Sequence, residues 1–371
     1  MDSVTPPDSS QFSTEAMLDD LRTLVEVESP SLDVVALAES AKVLAAMIER
    51  HLGGTVELVE SPAGPHVFWS GGGEPKVLLL GHHDTVFPLG ALAERPFTVA
   101  DGRATGPGVF DMLGGIVQAL HGLVQLDDLS GVEMLFSSDE EVGSLESRAL
   151  IEERAIACGA VLVLEPSADG GVLKTGRKGC GTFEVLVQGR AAHAGLEPEN
   201  GVNALTEVAH QVLAINGIGR SDLGTTVTPT VVTAGTADNV VPAEARLRVD
   251  VRVESADEKE RVEAALNALD VVGTDGAIEV SGAVNRPPMP ESASADLMPL
   301  AELVSPGIGG VAVGGGSDGN FTAAIGVPTL DGLGAVGGGA HANHEYIVVD
   351  TMPDRARLIA GLVQRIQARP A

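Results

Sequence analysis

Cysteine is nearly absent from this chain of 371 residues, which carries only Cys158 and Cys180. Two cannot build a disulfide framework, and neither stands in a Cys-x-x-Cys or histidine-paired spacing. Both read as ordinary thiols of a reducing compartment. Aromatic residues are also scarce, at 3%, so the core must be built from Val, Leu, Ala and Ile. Positive charge is in short supply: 23 Lys and Arg face 52 Asp and Glu, a formal net charge of −29. That balance argues against nucleic acid and anionic membrane surfaces as partners. No apolar run approaches the roughly 18 residues of a membrane span, and Met1–Thr14 lacks the basic and apolar regions of a secretory signal. A cytoplasmic protein with no membrane or nucleic-acid partner is the expectation.

What is present is a large apolar fraction, 44%, in a chain whose length suits two domains. Helical periodicity runs over 14–28 and 33–52, followed by strand-like runs at 55–60, 66–70 and 76–81. A helix to about 128, a strand at 132–137, a helix at 144–157 and a strand at 160–164 continue the alternation of an α/β sheet with covered faces. From about 180 the order changes to strand, helix, strand, strand, helix, strand. The strands fall at 182–188, 226–233, 245–254 and 277–280, and the helices at 199–216 and 256–269. This is a ferredoxin-like α+β order. It ends at Asn285-Arg286-Pro287-Pro288, after which α/β alternation resumes. The expectation is one α/β domain, residues 1–178 and 287–371, interrupted by an inserted domain, 179–286.

Five acid or histidine clusters follow predicted strands or glycine-rich turns. Gly81-His82-His83-Asp84-Thr85-Val86 follows the apolar run Val77-Leu78-Leu79-Leu80. Alternation sends His82 and Asp84 to one side, where a carboxylate can take the second N–H of a metal-bound imidazole. Asp111, before Gly114-Gly115, would alone read as a helix cap. Asp139-Glu140-Glu141 follows the strand at 132–137 and would alone read as a solvated loop. Glu165 ends the run Val161-Leu162-Val163-Leu164, where unpartnered burial is costly. His341-Ala342-Asn343-His344-Glu345-Tyr346 follows three glycines. Together the clusters converge on the crevice where open α/β sheets bind ligands. They supply imidazole and carboxylate but no thiolate, a set that suits zinc or a similar divalent ion. Five ligands with one bridging carboxylate would hold two metals about 3.5 Å apart.

The ordered set Gly-His-x-Asp-Thr-Val, Gly-x-x-Asp-Met-x-Gly-Gly, Asp-Glu-Glu, Glu-Pro and a late Gly-x-His resembles the co-catalytic zinc aminoacylase and carboxypeptidase family. The resemblance covers nearly the whole chain. It implies a zinc-exopeptidase-like catalytic domain with a covered mixed sheet, interrupted by a ferredoxin-like lid and dimerisation domain. It further implies two Zn2+ per chain, with Co2+ or Mn2+ as substitutes. His82 and Glu165 would bind one ion, Glu141 and His341 the other, and Asp111 both. Asp84 would support His82, and Glu140 would be the general base. His341, rather than His344, takes the family's place four residues before the Glu of the His-x-x-x-Glu-Tyr signature. His193, in Gly189-Arg190-Ala191-Ala192-His193-Ala194-Gly195, matches a histidine that reaches another subunit's site, which implies a homodimer. Asn239 and Arg252 match residues that receive a substrate carboxylate. One departure is Leu113, where the family often has Lys; His83 takes a variable position and receives no role.

The implied reaction is hydrolysis of the amide bond of a small N-acyl amino acid or peptide. Gly314-Gly315-Gly316-Ser317-Asp318-Gly319-Asn320 and Gly176-Arg177-Lys178-Gly179 look most like the glutamate carboxypeptidase branch, so glutamate is the favoured product. The alternative is an amidohydrolase, deacetylase or dipeptidase with another leaving amino acid. A remoter one is a non-catalytic carboxylate-binding protein of the same fold, which metal content would distinguish.

Overall fold

The apolar runs become the middle of a sheet. The computed structural model describes residues 6–272 and 275–369. Its six-stranded sheet is ordered Glu57–Val59, His66–Ser70, Val132–Ser137, Val77–His82, Val161–Val163, Thr329–Leu330. The second strand pairs antiparallel with both the first and the third. The last four run parallel. Alternation divides their side chains between two cores. Val77, Leu79, Met134 and Leu162 pack with Leu21, Leu44, Ile116 and Ile359, from helices Thr14–Val25, Val34–Leu52, Gly114–Val124 and Met352–Gln367. Leu78, Leu80, Leu135 and Val163 pack with Ile151 and Ala155, from the helix Arg148–Cys158. Burial on both faces explains why these strands read as continuous apolar runs rather than as alternating ones.

Local chemistry sets several boundaries. Ser13 and Asp33 cap their helices by accepting from Ala16 N–H at 3.2 Å and Ala36 N–H at 3.1 Å, each cap contributing about 1 kcal/mol. The helix expected from 144 begins only at Arg148. The Asp139 carboxylate accepts from Glu146 N–H (2.8 Å) and Ser147 N–H (3.4 Å), and this holds the preceding residues in a turn. Gly115 is required where the helix Gly114–Val124 crosses a strand end: an added Cβ would lie 2.1 Å from the Leu164 carbonyl oxygen.

The chain divides into two compact units, one reaching Gly176 and resuming over Met289–Val313 and from Ser317, the other comprising Arg177–Pro288 with Gly314–Gly316. In the second, the sheet order is Thr226–Ala234, Glu244–Val253, Gly179–Gln188, Ala277–Arg286, antiparallel throughout. Its helices are Ala204–Asn216 and Ala256–Asn267. Ala245, Leu247, Val249, Val251 and Val253 bury one face of the sheet beneath Val208, Ile215, Val262 and Leu266 of those helices. The three glycines join this unit through Arg177, whose guanidinium donates to the carbonyls of Gly315 (3.2 Å) and Gly316 (3.0 Å).

The sequence does not signal a second small sheet of the first unit. It is ordered Gly337–Gly338, Tyr346–Val348, Arg103–Thr105, Thr98–Ala100. Strands of two or three residues are too short to show a period. Tyr346 pairs with Thr105, which sets the late His341–Glu345 segment beside the turn that carries Asp111. Among the described residues, no helix is long and apolar enough to cross a membrane.

Candidate metal centre

The parallel strands end together, and their ends carry the acids and histidines. His82 is the last residue of its strand, opposite Ser137. Asp139, Glu140 and Glu141 follow Val132–Ser137, and Glu165 follows Val161–Val163. Asp111 lies three residues before the helix Gly114–Val124, in a turn that is non-helical at Asp111 (φ −113°, ψ 94°). That excludes the cap reading.

Asp111 faces two ways. Its Oδ1 lies 3.4 Å from His82 Nε2, which is also 3.4 Å from Glu165 Oε1. Its Oδ2 lies 3.2 Å from His341 Nε2, which is 3.0 Å from Glu141 Oε2. Ligands about 2.0–2.1 Å from a tetrahedral zinc stand roughly 3.3 Å apart, so both groups have the spacing of a metal's coordination edge. The donors fit a divalent ion on a second ground. His82 Nε2 and Glu141 Oε1 are buried without a hydrogen-bond partner, a cost that coordination removes. Glu140 belongs to the same assembly: its carboxylate and the ligand atoms of His82 and Glu165 lie within 4.8 Å of one another.

The electrostatics agree. Burial lowers the His82 pKa, but Asp111, Asp84 and Glu165 outweigh it and raise the pKa well above that of a free histidine. Asp111 and Glu141 push His341 up to about 11. Burial raises Glu141 despite His341 beside it. Asp111 is held far below the usual carboxylate range, burial being overcome by His341 and His82. Carboxylates that hold two imidazoles protonated form a negative pocket, and divalent cations replace those protons when they bind.

Asp84 meets His82 through both its main chain and its carboxylate. His82 Nδ1 donates to the main-chain carbonyl of Asp84 at 2.9 Å, while the carboxylate Oδ1 stands farther off, at 3.5 Å. This fixes the tautomer that leaves Nε2 as the donor to a metal. The Asp84 carboxylate also accepts from the N–H of Glu140 and Glu141, both at 3.2 Å, and from Ser31 Oγ at 2.7 Å. It therefore positions the acidic loop. His83 is structural: Nε2 lies 3.0 Å from the Pro65 carbonyl and Nδ1 3.1 Å from Ser40 Oγ. Burial depresses its pKa to about 4, so it stays neutral.

Two features escaped the sequence reading. Glu345 is buried, and its carboxylate accepts from Gly108, Phe110 and Asp111 N–H at 3.1, 2.8 and 2.9 Å. Burial pushes its pKa up to about 7 against the pull of those donors. Its signal was the His-x-x-x-Glu-Tyr spacing, used only to select His341. The second is Asp20, joined to His51 Nε2 (2.6 Å), His121 Nε2 (2.8 Å) and the Arg50 guanidinium. These spacings are those of hydrogen bonds. Its signal was polar residues on otherwise apolar helix faces. His344 is exposed, as His341 is, but it is His341 that approaches the carboxylates of Asp111 and Glu141.

His193, Asn239 and Arg252 lie in the second unit. His193 Nδ1 accepts from Gly195 and Leu196 N–H at 3.1 and 3.0 Å, so its Nε2 carries the proton. Asn239 adjoins it, the Asn239 carbonyl accepting from Ala194 N–H at 2.9 Å. The Arg252 fork closes on Asp250 (3.0 and 2.9 Å), and its remaining nitrogen lies 2.7 Å from Cys180 Sγ.

The model of peptidase family M20/M25/M40 matches residues 78–365. Carboxypeptidase G2 of Pseudomonas sp. (strain RS-16) is 32% identical to this chain, over 95% of it and 90% of that protein. Succinyl-diaminopimelate desuccinylase of Stenotrophomonas maltophilia (strain R551-3) is 27% identical, over 80% and 85% of the two chains. Among solved structures, a tripeptidase from Staphylococcus aureus matches with a TM-score of 0.76 at 20% identity, over 96% of this chain and 99% of that one. That likeness shows a shared fold.

Proposed function

The chain belongs to peptidase family M20/M25/M40, and on that premise we propose that it is a two-zinc hydrolase of N-acyl amino acids or small peptides. It releases a C-terminal amino acid, glutamate being favoured. The observation that carries this reading is Asp111, with one carboxylate oxygen toward His82 and the other toward His341. His82 and Glu165 would hold one zinc, Glu141 and His341 the other, and Asp111 both; Co2+ or Mn2+ would substitute. Bound there, the pair supplies Lewis acidity to the scissile carbonyl and lowers the pKa of water.

The chain's own residues do the rest. Glu140 takes a proton from the attacking water and returns it to the leaving amine. Asp84 holds the Glu140 backbone in place. The proton on His193 Nε2 suits it to donate to an oxyanion, in the site of a partner subunit. The strand order of the second unit supports its reading as a ferredoxin-like lid and dimerisation domain. Asn239 and Arg252 receive the substrate carboxylate. Arg252 must then share its fork with Asp250, or exchange it. Mixing His193→Ala with Glu140→Gln chains tests the shared site: two inactive proteins regain activity together, and no rescue after confirmed subunit exchange rejects it.

The glutamate preference is supported by the likeness to carboxypeptidase G2. The likeness to succinyl-diaminopimelate desuccinylase keeps another leaving amino acid as the second reading. The deciding experiment is amino acid release from acyl-Glu, acyl-Asp, acyl-Gln, acetyl-Orn and dipeptides, with chelator and with zinc restored. Chelator-sensitive glutamate release supports the proposal. Release of a different amino acid keeps the chemistry and moves the substrate. Release indifferent to thorough metal removal rejects the two-zinc mechanism.

A further inference from the structure

We propose that Glu345 is a positioning residue: its carboxylate locks together the two loops that carry Asp111 and His341, and so sets retention of the zinc held by Glu141 and His341. The inference rests on the two-zinc reading above and deepens it.

The argument is geometric. Glu345 is 1% exposed, and a carboxylate at that depth needs strong partners. It has three backbone donors from a single turn: Gly108 to Oε2, Phe110 and Asp111 to Oε1. Hydrogen bonds to an ionised acceptor are roughly twice as strong as neutral ones. The turn cannot satisfy these N–H groups as a regular helix would, because it is non-helical at Asp111 and Met112. Gly108, at φ +75°, runs so close to Thr85 that an added Cβ would lie 2.7 Å from Thr85 Cγ2.

On the other side, Glu345 is bound to His341 through a tight turn. Ala342 N–H donates to the Gly339 carbonyl (2.9 Å) and Glu345 N–H to the Ala342 carbonyl (3.1 Å). The next residue, Tyr346, is already in register with Thr105. The His341 side chain is 52% exposed, so packing alone does not fix its ring. Its distance to Asp111 is set through the Glu345 bonds.

The two zinc seats therefore differ. His82 ends a buried strand and Glu165 follows another; neither depends on Glu345. Asp111 is common to both seats, but the seat of Glu141 and His341 depends on Glu345 twice, through Asp111 and through the turn that carries His341, so Glu345 variants should weaken it more than the other.

The test is zinc competition against a chromophoric chelator, using the full chain at a temperature where circular dichroism shows each protein folded. Wild type should hold two zinc ions. Glu345→Ala should weaken one by about 10–100-fold, the range for residues that orient metal ligands, and the other, which shares only Asp111 with it, by clearly less. Glu345→Gln keeps one acceptor oxygen for Phe110 and Asp111 but turns an N–H2 toward Gly108, so its loss should be smaller in the same seat. Should the alanine variant fail to fold, the isosteric glutamine variant decides. Unchanged affinities in a folded variant overturn the proposal. So does equal weakening of both seats with a lowered Tm, which marks a merely structural role. A wild type that never takes up two zinc ions would instead reject the two-zinc reading itself.

Discussion

His82 and His341 face carboxylates at one place in the first unit, and His51 and His121 face one at another. The residue types match, yet the spacings do not. Around Asp111 they are 3.0–3.4 Å, and around Asp20 they are 2.6 and 2.8 Å. The shorter distances are tighter than a zinc coordination edge, whereas the longer ones reach it. Partners differ too. Asp20 already has the Arg50 guanidinium as a cation, whereas among the described residues Asp111 and Glu141 have no Lys or Arg partner. The lesson is that a cluster's composition does not identify a metal seat. Separation and missing positive charge do.

The comparison is broken most directly at its two aspartates. Asp111→Asn should abolish chelator-sensitive amino acid release and reduce zinc content, while Asp20→Asn should leave zinc content at the wild-type level. Elemental analysis of both proteins decides, and a metal lost from the Asp20 variant would overturn the distinction. Next in size, Glu140→Gln should lower kcat by about 10²–10⁴-fold with zinc content unchanged. Loss of metal in that variant would make Glu140 a ligand rather than a base.

Smaller again, His121→Ala should cost about 1–3 kcal/mol of stability, because Asp20 loses a buried partner. Urea unfolding would show the loss, while kcat/KM stays at the wild-type value. The smallest effect comes from His83, an imidazole with no carboxylate hydrogen-bonded to it. Its folded pKa, about 4, lies below the ordinary 6.5. The unfolded chain therefore binds the proton first, and stability falls as pH drops from about 6.5 towards 4. The slope from this group is at most about 1.4 kcal/mol per pH unit. A His83→Gln variant should show a shallower decline over that window; an equal slope would mean that His83 titrates normally.

The sequence made the parallel strands legible because they are buried on both faces, and it made the clustering of His82, Asp111, Glu141, Glu165 and His341 legible because each follows a strand end or a glycine-rich turn. What it concealed depends on backbone donors. Nothing in the residue type of Asp84 reveals that its carbonyl, rather than its carboxylate, makes the short bond to His82. Nothing about Glu345 reveals which three N–H groups it meets. The Asp20 group escaped because Asp20, His51 and His121 come from three helices that only tertiary packing brings together. The segment Ser144–Ser147 reads as helix yet forms a turn, because Asp139, outside the apolar pattern, takes the N–H groups of Glu146 and Ser147 with its carboxylate and that of Ser144 with its carbonyl.

The interrupted first unit has a consequence for synthesis. Thr329–Leu330, the strand that pairs beside Val161–Val163, is translated after the whole second unit, and His341 and Glu345 come later still. On the ribosome, the earlier part of the sheet therefore waits with an unpaired strand edge while the second unit, which has a buried core of its own, is made. The same late segment covers that edge and supplies His341, which faces Asp111 and Glu141. A chain stalled before it would carry His82, Asp111, Glu141 and Glu165 without a finished pocket, so assembly of the metal centre reports that translation has passed the return crossing.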